Sequence, residues 1–372
     1  MNKRLLKVGL VMAMALMLIA PAAAEEKKDT LKALEDIKSA LGMSIYLQGG
    51  YTYNFASPSP EVNALRVFDQ KANTILLDLA QLQFVKEPAV GGVGFKLKLS
   101  AGETAKYIHS NGLGDINDSF DLTEAYISYT APLGKGLRID FGKFVTYHGA
   151  EVIEARDNPN YSRSLLFNYA IPFTHTGLKI SYPISDMFSG SLHLVNGWDD
   201  TDDNNKGKSV GLSLGVTPME QLSMLFNLMY GPEKQDNNHD QRFLFDWVST
   251  VKPMKDLSVV LNVDYATEQH SAPDGGEAKW YGWAITAKYD FNNWFSIAMR
   301  GEYFNDQDGV RTGTAQRAKE FTLTPQFTVA KNLLIRPEYR HDWSNASVFP
   351  SSTSGNTKKS QDTIALGVMY TW

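Results

Sequence analysis

The chain has 372 residues, 36 Lys and Arg against 41 Asp and Glu, a formal net charge of −5 and no cysteine. With no basic tract it is a poor partner for nucleic acid, and without thiols it forms no disulfides and does no thiol chemistry. Apolar residues are 43% and aromatics 12%, yet no apolar run reaches the ~20 residues of a spanning helix.

Lys3, Arg4 and Lys7 precede an apolar run, Val8 to Ile19, that is too short to cross a bilayer. Pro21 breaks it, and Ala22-Ala23-Ala24 offers a small-residue cleavage site before Glu25. Residues 1–24 therefore read as a signal peptide. Residues 25–42 read as a short periplasmic helix or linker, with Leu31, Leu34, Ile37 and Leu41 on one side of Lys27–Leu41. Isolated helices this short are marginal, so it either tucks into a periplasmic mouth or frays.

Residues 43–372 then change to period two. Tyr281, Trp283, Ile285, Ala287 and Tyr289 oppose Gly282, Ala284, Thr286 and Lys288. Phe321, Leu323, Pro325, Phe327 and Val329 oppose Glu320, Thr322, Thr324, Gln326 and Thr328. One face is greasy and the other polar. Strands are expected near 43–55, 73–86, 91–103, 120–130, 137–146, 174–183, 188–198, 208–217, 222–231, 240–251, 257–268, 279–290, 294–304, 319–329, 333–343 and 362–372. That is about sixteen, with fourteen and eighteen also compatible. Short turns alternate with longer polar loops, as in an all-β transmembrane antiparallel barrel with short periplasmic turns and long external loops. A soluble sandwich or propeller of this length would show an internal repeat, and none is seen.

The longest loop, Tyr147–Pro172, mixes charge (Glu151, Glu154, Arg156, Asp157, Arg163) with apolar residues (Val152, Ile153, Leu165, Leu166, Phe167). Loops this long are usually functional or disordered. The apolar anchors favour a loop folded into the pore as a constriction; an external cap is the alternative. Two late strands carry charge ladders: Arg300 and Glu302, then Arg336, Glu338, Arg340 and Asp342. Charges spaced by two on a spanning strand must face a lumen, since a mid-plane Arg or Lys facing lipid costs about 2–4 kcal/mol. The expected arrangement is an eyelet, with Glu151, Glu154 and Asp157 on the loop facing Arg300, Arg336 and Arg340 on the wall. Mutually paired ladders in a blocked barrel are the other possibility.

Asp199-Asp-Thr-Asp-Asp-Asn-Asn205 reads as a solvated loop tip before a Ca²⁺ site, because it lacks the glycine and closing glutamate of an EF-hand loop. The histidines show no metal spacing, and no Ser–His set at one height suggests a hydrolase. No metal, cofactor or enzymatic activity is expected. The chain ends within a strand, with Ile364, Leu366, Val368, Tyr370 and Trp372 on one face. A last strand that closes on the first leaves no edge in lipid.

Asn63–Asp69, Leu77–Gln83, Gly142–Thr146, Gly149–Val152, Asn158-Pro-Asn-Tyr-Ser-Arg-Ser164 and Pro172–Gly177 together resemble the OmpL-like β-barrel porin family. The resemblance covers most of the chain after the leader and is most specific over 142–177. It implies a porin of the Gram-negative outer membrane, with Glu151, Asn158, Tyr161, Ser162 and Arg163 shaping the loop. It also implies that Tyr370 and Trp372 form a signal for the barrel-assembly machinery. The expected function is a passive diffusion channel for small hydrophilic solutes or ions, set among outer-membrane lipid and lipopolysaccharide, with a homotrimer plausible by analogy. A barrel selective for an anionic nutrient and a plugged structural or adhesive barrel are the alternatives.

Overall fold

The computed structural model describes residues 35–372 except positions 37 and 116. The signal-peptide expectation and most of the N-terminal helix lie outside the described residues. The N-terminal unit, ending at Met43, is helical at 35–36 and 38–41, and Ser39 accepts a backbone hydrogen bond from Gly42.

The second unit is a closed antiparallel barrel of sixteen strands. In chain order these are β1 (Met43–Asn54), β2 (Ile75–Lys86), β3 (Val93–Ala101), β4 (Phe120–Ala131), β5 (Leu137–Val145), β6 (Thr174–Tyr182), β7 (Phe188–Val195) and β8 (Ser209–Met219). There follow β9 (Leu222–Lys234), β10 (Asn237–Met254), β11 (Leu257–Glu268), β12 (Ala278–Asp290), β13 (Phe295–Asp306), β14 (Gln316–Ala330) and β15 (Leu333–Ser344). A small external hairpin, β16 (Phe349–Pro350) and β17 (Thr357–Lys358), precedes the last barrel strand, β18 (Ser360–Thr371). Every expected strand is present, and the count of sixteen removes the alternatives of fourteen and eighteen.

Closure is made by β1 on β18, with Gly50 opposite Gly367 and Tyr53 opposite Ile364. Ile45 and Trp372 exchange backbone hydrogen bonds at 2.9 Å, so the pairing runs to the last residue. Alternation follows the pleat. Along β12, Tyr281, Trp283 and Ile285 are exposed, while Trp280, Gly282 and Ala284 are buried. Outward apolar residues meet lipid, and inward residues build the core.

One loop expectation fails. The segment between β9 and β10 is not a long polar loop, because Lys234 pairs with Asn237 and only Gln235 and Asp236 turn. Both strands instead run on beyond their neighbours. Asn237 pairs with Lys234 and Gln241 with Pro232, and the bulge between them leaves Asn238 and His239 exposed while the Asn237 side chain accepts the Asp240 amide at 3.0 Å.

Candidate functional site: a loop latched across the lumen

The loop joining β5 to β6, Thr146–Phe173, folds inward. Most of its apolar residues pack in the lumen rather than on a cap: Ile153, Leu165, Leu166, Phe167, Ala170 and Ile171 are buried, whereas Val152, also expected as an anchor, is exposed. The β1–β2 loop enters beside it. Phe68 packs on Phe167 and Phe173 at ring distances of 5.6 and 5.4 Å, and the Arg163 guanidinium lies 4.8 Å over Phe68. Buried aromatic contact of this kind is the main drive for folding a loop inward.

The loop starts at a ring cluster. Tyr147 stacks on His193 with centroids 3.7 Å apart, and His148 sits 4.1 Å from Tyr147. Burial, with His175 and His193 adding like charge, pushes His148 well below its ordinary pKa. The folded state therefore keeps His148 neutral. An unfolded chain takes up a proton below about pH 6.5, so this part of the stability is present above that pH and is lost as pH falls below it. Protease cleavage near 147–150 is expected to be faster at pH 5 than at pH 7.5, and slower to change in a His148→Asn variant.

From there the loop crosses the barrel. Asp246 of β10 and Asn262 of β11 accept the amides of Gly149 (3.0 Å) and Ala150 (3.1 Å). Glu151 accepts Arg300 of β13 at 2.7 Å and the Ser164 amide at 2.7 Å. Glu154 reaches the opposite wall, where Lys98 of β3 (2.9 Å) and Gln81 of β2 (2.8 Å) donate to it. Burial alone would raise the Glu154 carboxyl; Lys98 beside it, helped by Gln81, holds it below its ordinary value. Asn158 closes the elbow on itself, donating to the carbonyls of Val152 (2.7 Å) and Glu154 (3.2 Å) and accepting from the Val152 amide (2.9 Å).

The charge ladders bind the loop backbone. Glu338 accepts the amides of Tyr161 (2.7 Å) and Ser162 (3.0 Å), and Glu302 those of Leu165 and Leu166 (both 2.6 Å). Arg300 donates to the Ser162 carbonyl (2.8 Å) and Arg340 to the Arg163 carbonyl (2.6 Å). Arg336 donates to the carbonyls of Ala155, Asn160 (3.1 Å) and Arg156 (3.2 Å). Arg163 donates to the loop carbonyls of Tyr161 (2.5 Å), Val152 (3.3 Å) and Ile153. Charge-assisted bonds to buried backbone are strong and satisfy groups that would otherwise be orphaned in the lumen.

The eyelet geometry expected from sequence is found only in part. Glu151 does contact Arg300, but directly rather than across a gap. Glu154 turns to Lys98, and Asp157 is exposed, 3.9 Å from its neighbour Arg156. Arg336 and Arg340 touch no loop carboxylate; their partners are loop carbonyls, the Ser162 hydroxyl (3.2 Å from Arg340), Gln326 and the wall acids Asp342 and Glu320. The physical reason is the path of the loop. It crosses the lumen instead of lining one side, so its backbone meets the ladders, and Glu151 is the one of the three expected loop carboxylates that does.

Tyr161 was expected to shape the loop, but the residues that hold it and its neighbours, Gly50, Gly367, Asp78 and Arg66, drew no attention as site candidates. Tyr161 lies on a flat seat made by Gly50 and Gly367: a Cβ at these positions would come within 1.9 Å of its Oη and 2.4 Å of its Cδ2. Its hydroxyl donates to Asp78 at 2.6 Å. Arg66, buried in the β1–β2 loop, donates to Asp342 at 2.6 Å. A glycine on the inward face of a strand signals close approach by another part of the chain. Gly50 and Gly367 carried that signal.

Room remains beside the loop. A cavity of about 370 Å³ lies between its elbow and the β1–β3 wall, lined by Tyr46, Gln83, Lys96, Lys98, Arg156 and Asp157 among others. Against β11–β13 the fit is tight: the space between Glu151, Ser164, Asn262 and Arg300 is about 10 Å³, near the minimum for one water.

No curated protein matches the sequence. Among solved structures, the anion-selective porin from Comamonas acidovorans is similar in fold, with a TM-score of 0.61 at 9% identity over 89% of this chain and 98% of that one. The outer membrane channel DcaP of Acinetobacter baumannii gives 0.58 at 10% identity, over 89% and 96%. The trimer form of OmpT from Vibrio cholerae gives 0.57 at 12%, over 89% and 98%. A family model described as "Putative beta-barrel porin-2, OmpL-like" matches residues 40–372. With its closed barrel, apolar exterior and inward loop, the chain belongs to this family of OmpL-like β-barrel porins.

Proposed function

We propose that the protein is a passive outer-membrane channel for small hydrophilic solutes or ions, narrowed by the latched loop. One observation carries this reading: a sixteen-strand barrel with a polar interior, whose inward loop leaves a cavity of about 370 Å³ beside charged side chains. Family and fold point to a channel rather than an enzyme, and diffusion down a gradient uses no cofactor. In this reading Arg300, Glu302, Arg336, Glu338, Arg340 and Arg163 set the constriction by holding the loop. Arg156 and Asp157 at the elbow, with Lys96 on the wall, are the charges that passing ions meet. Export through a cleaved segment 1–24, insertion guided by Tyr370 and Trp372, contact with lipopolysaccharide and a homotrimer like the OmpT trimer form belong to the same proposal.

The filling of the lumen by two loops favours a second reading, a plugged structural barrel. Single-channel recording of the refolded protein in a planar bilayer, with the reversal potential taken in a salt gradient, separates the two. Discrete ohmic steps support the channel; a heat-modifiable barrel without steps overturns it. An Arg156→Ala variant is expected to move the reversal potential toward cation preference with little change in conductance. Unchanged selectivity would remove the elbow from the ion path.

A further inference from the structure

On the β5–β9 wall the inward side chains form a row of different character. Arg138 pairs across the ladder with Ser181, Ser181 with Ser191, Ser191 with Ser213, and Ser213 with Asn227. Past Arg138 every member is neutral. The latched loop meets this wall at Tyr147, which stacks on His193. Because β7 runs from the periplasmic turn outward, Ser189 and Ser191 lie on the periplasmic side of that contact.

A cavity of about 300 Å³ opens over the row, lined by Arg138, Ser181, Ser189, Ser191, Ser213 and Gly215 among others. Gly215 gives it depth, since a Cβ there would come within 2.4 Å of Ser189 Oγ. Ser191 Oγ shares a hydrogen bond with His193 Nε2 at 2.8 Å, and Ser213 donates to Asn227 at 2.6 Å. No side-chain partner is seen for the Ser181 and Ser189 hydroxyls among the described residues. Each hydroxyl can donate one hydrogen bond and accept two.

Charge selects among ligands. Arg138 donates to Asp140 (2.8 Å), Glu87 (2.6 Å) and Ser128 (3.2 Å), and Lys179 pairs with Asp140 at 3.0 Å. Each cation is therefore already matched. An anion entering the cavity would lose water without gaining a free counter-charge, and so would a cation. A solute rich in hydroxyls exchanges its water for serine hydroxyls at little cost.

We propose that this hydroxyl row is a binding subsite for a neutral polyhydroxylated solute of monosaccharide size. The proposal rests on the channel reading, and it adds the class of cargo. The test uses three pyranose probes of one shape: glucose, glucuronate and glucosamine. In planar bilayers, glucose is expected to cause saturable current noise in the native channel, and the charged probes to cause less. Calorimetry with the detergent-folded barrel reads glucose binding even where no current flows, so a closed pore and a missing subsite are distinguished. The Ser181→Ala, Ser189→Ala pair is expected to weaken glucose binding about tenfold, from two lost hydrogen bonds, without loss of folding. Gly215→Val is expected to weaken it by filling the recess. Glucose heat that is absent, or unchanged in both variants, overturns the subsite; absent noise with native heat overturns only the open channel. Stronger binding of glucuronate or glucosamine than of glucose overturns its neutral character.

Discussion

A Glu302→Ala, Glu338→Ala double variant is expected to carry severalfold more current per channel than the native barrel. These two carboxylates accept four amides of the loop, at Tyr161, Ser162, Leu165 and Leu166, each within 3.0 Å. Hydrogen bonds to a charged group contribute about 1.5–3 kcal/mol each. Four of them form a large part of the loop's attachment, and the truncated wall leaves the amides without acceptors. The barrel itself should persist, because Arg300 keeps Glu320 and Glu151, and Arg340 keeps Asp342. Single-channel conductance and protease cleavage within 158–166 measure the effect. Native conductance together with native protection would show that the aromatic core, not the ladders, holds the loop.

Gly367→Val is expected to unseat the same loop from the other side. The new side chain would occupy the space of the Tyr161 ring, because a Cβ at position 367 would lie only 2.4 Å from the ring's Cδ2. Overpacking of this kind costs about 1–3 kcal/mol. It also breaks the Tyr161–Asp78 hydrogen bond, leaving Asp78 with Gln48 at 3.0 Å. Strand pairing should survive, since β-branched residues suit strands and position 367 pairs with Gly50 at the seam. The expected readout is a noisier, more conductive channel with native heat-modifiability. Adding Tyr161→Ala should recover part of the lost stability, because the two changes share one contact. An additive result would mean that the introduced valine damages the seam itself.

The strands were open to sequence reasoning because their signal is local. Tyr281, Trp283 and Ile285 alternate with Gly282 and Ala284 whatever lies across the lumen, and lipid on one side enforces that alternation. The ladders at Arg300–Glu302 and Arg336–Asp342 were likewise assignable to the inward face, since lipid would not tolerate them. The apolar residues of the long loop pointed it inward, and it is found there. The β9–β10 segment misled because a polar stretch reads the same in a loop and in a strand that rises into water.

What the buried charges do was decided by tertiary structure. Arg336 and Glu338 are two residues apart with opposite charge, so each looks fit to face an ion or a loop side chain. They bind carbonyls and amides instead, and backbone groups are the same at nearly every residue. No pattern of side chains says which stretch of backbone will pass a given ladder. That follows from the loop's path, fixed far away by Phe68 on Phe167 and by Tyr161 on two glycines that close the barrel. Period, sign and facing are written residue by residue in the chain. Partnership across the lumen is a property of the folded path, because it joins positions such as Asn160 and Arg336 that no local periodicity relates.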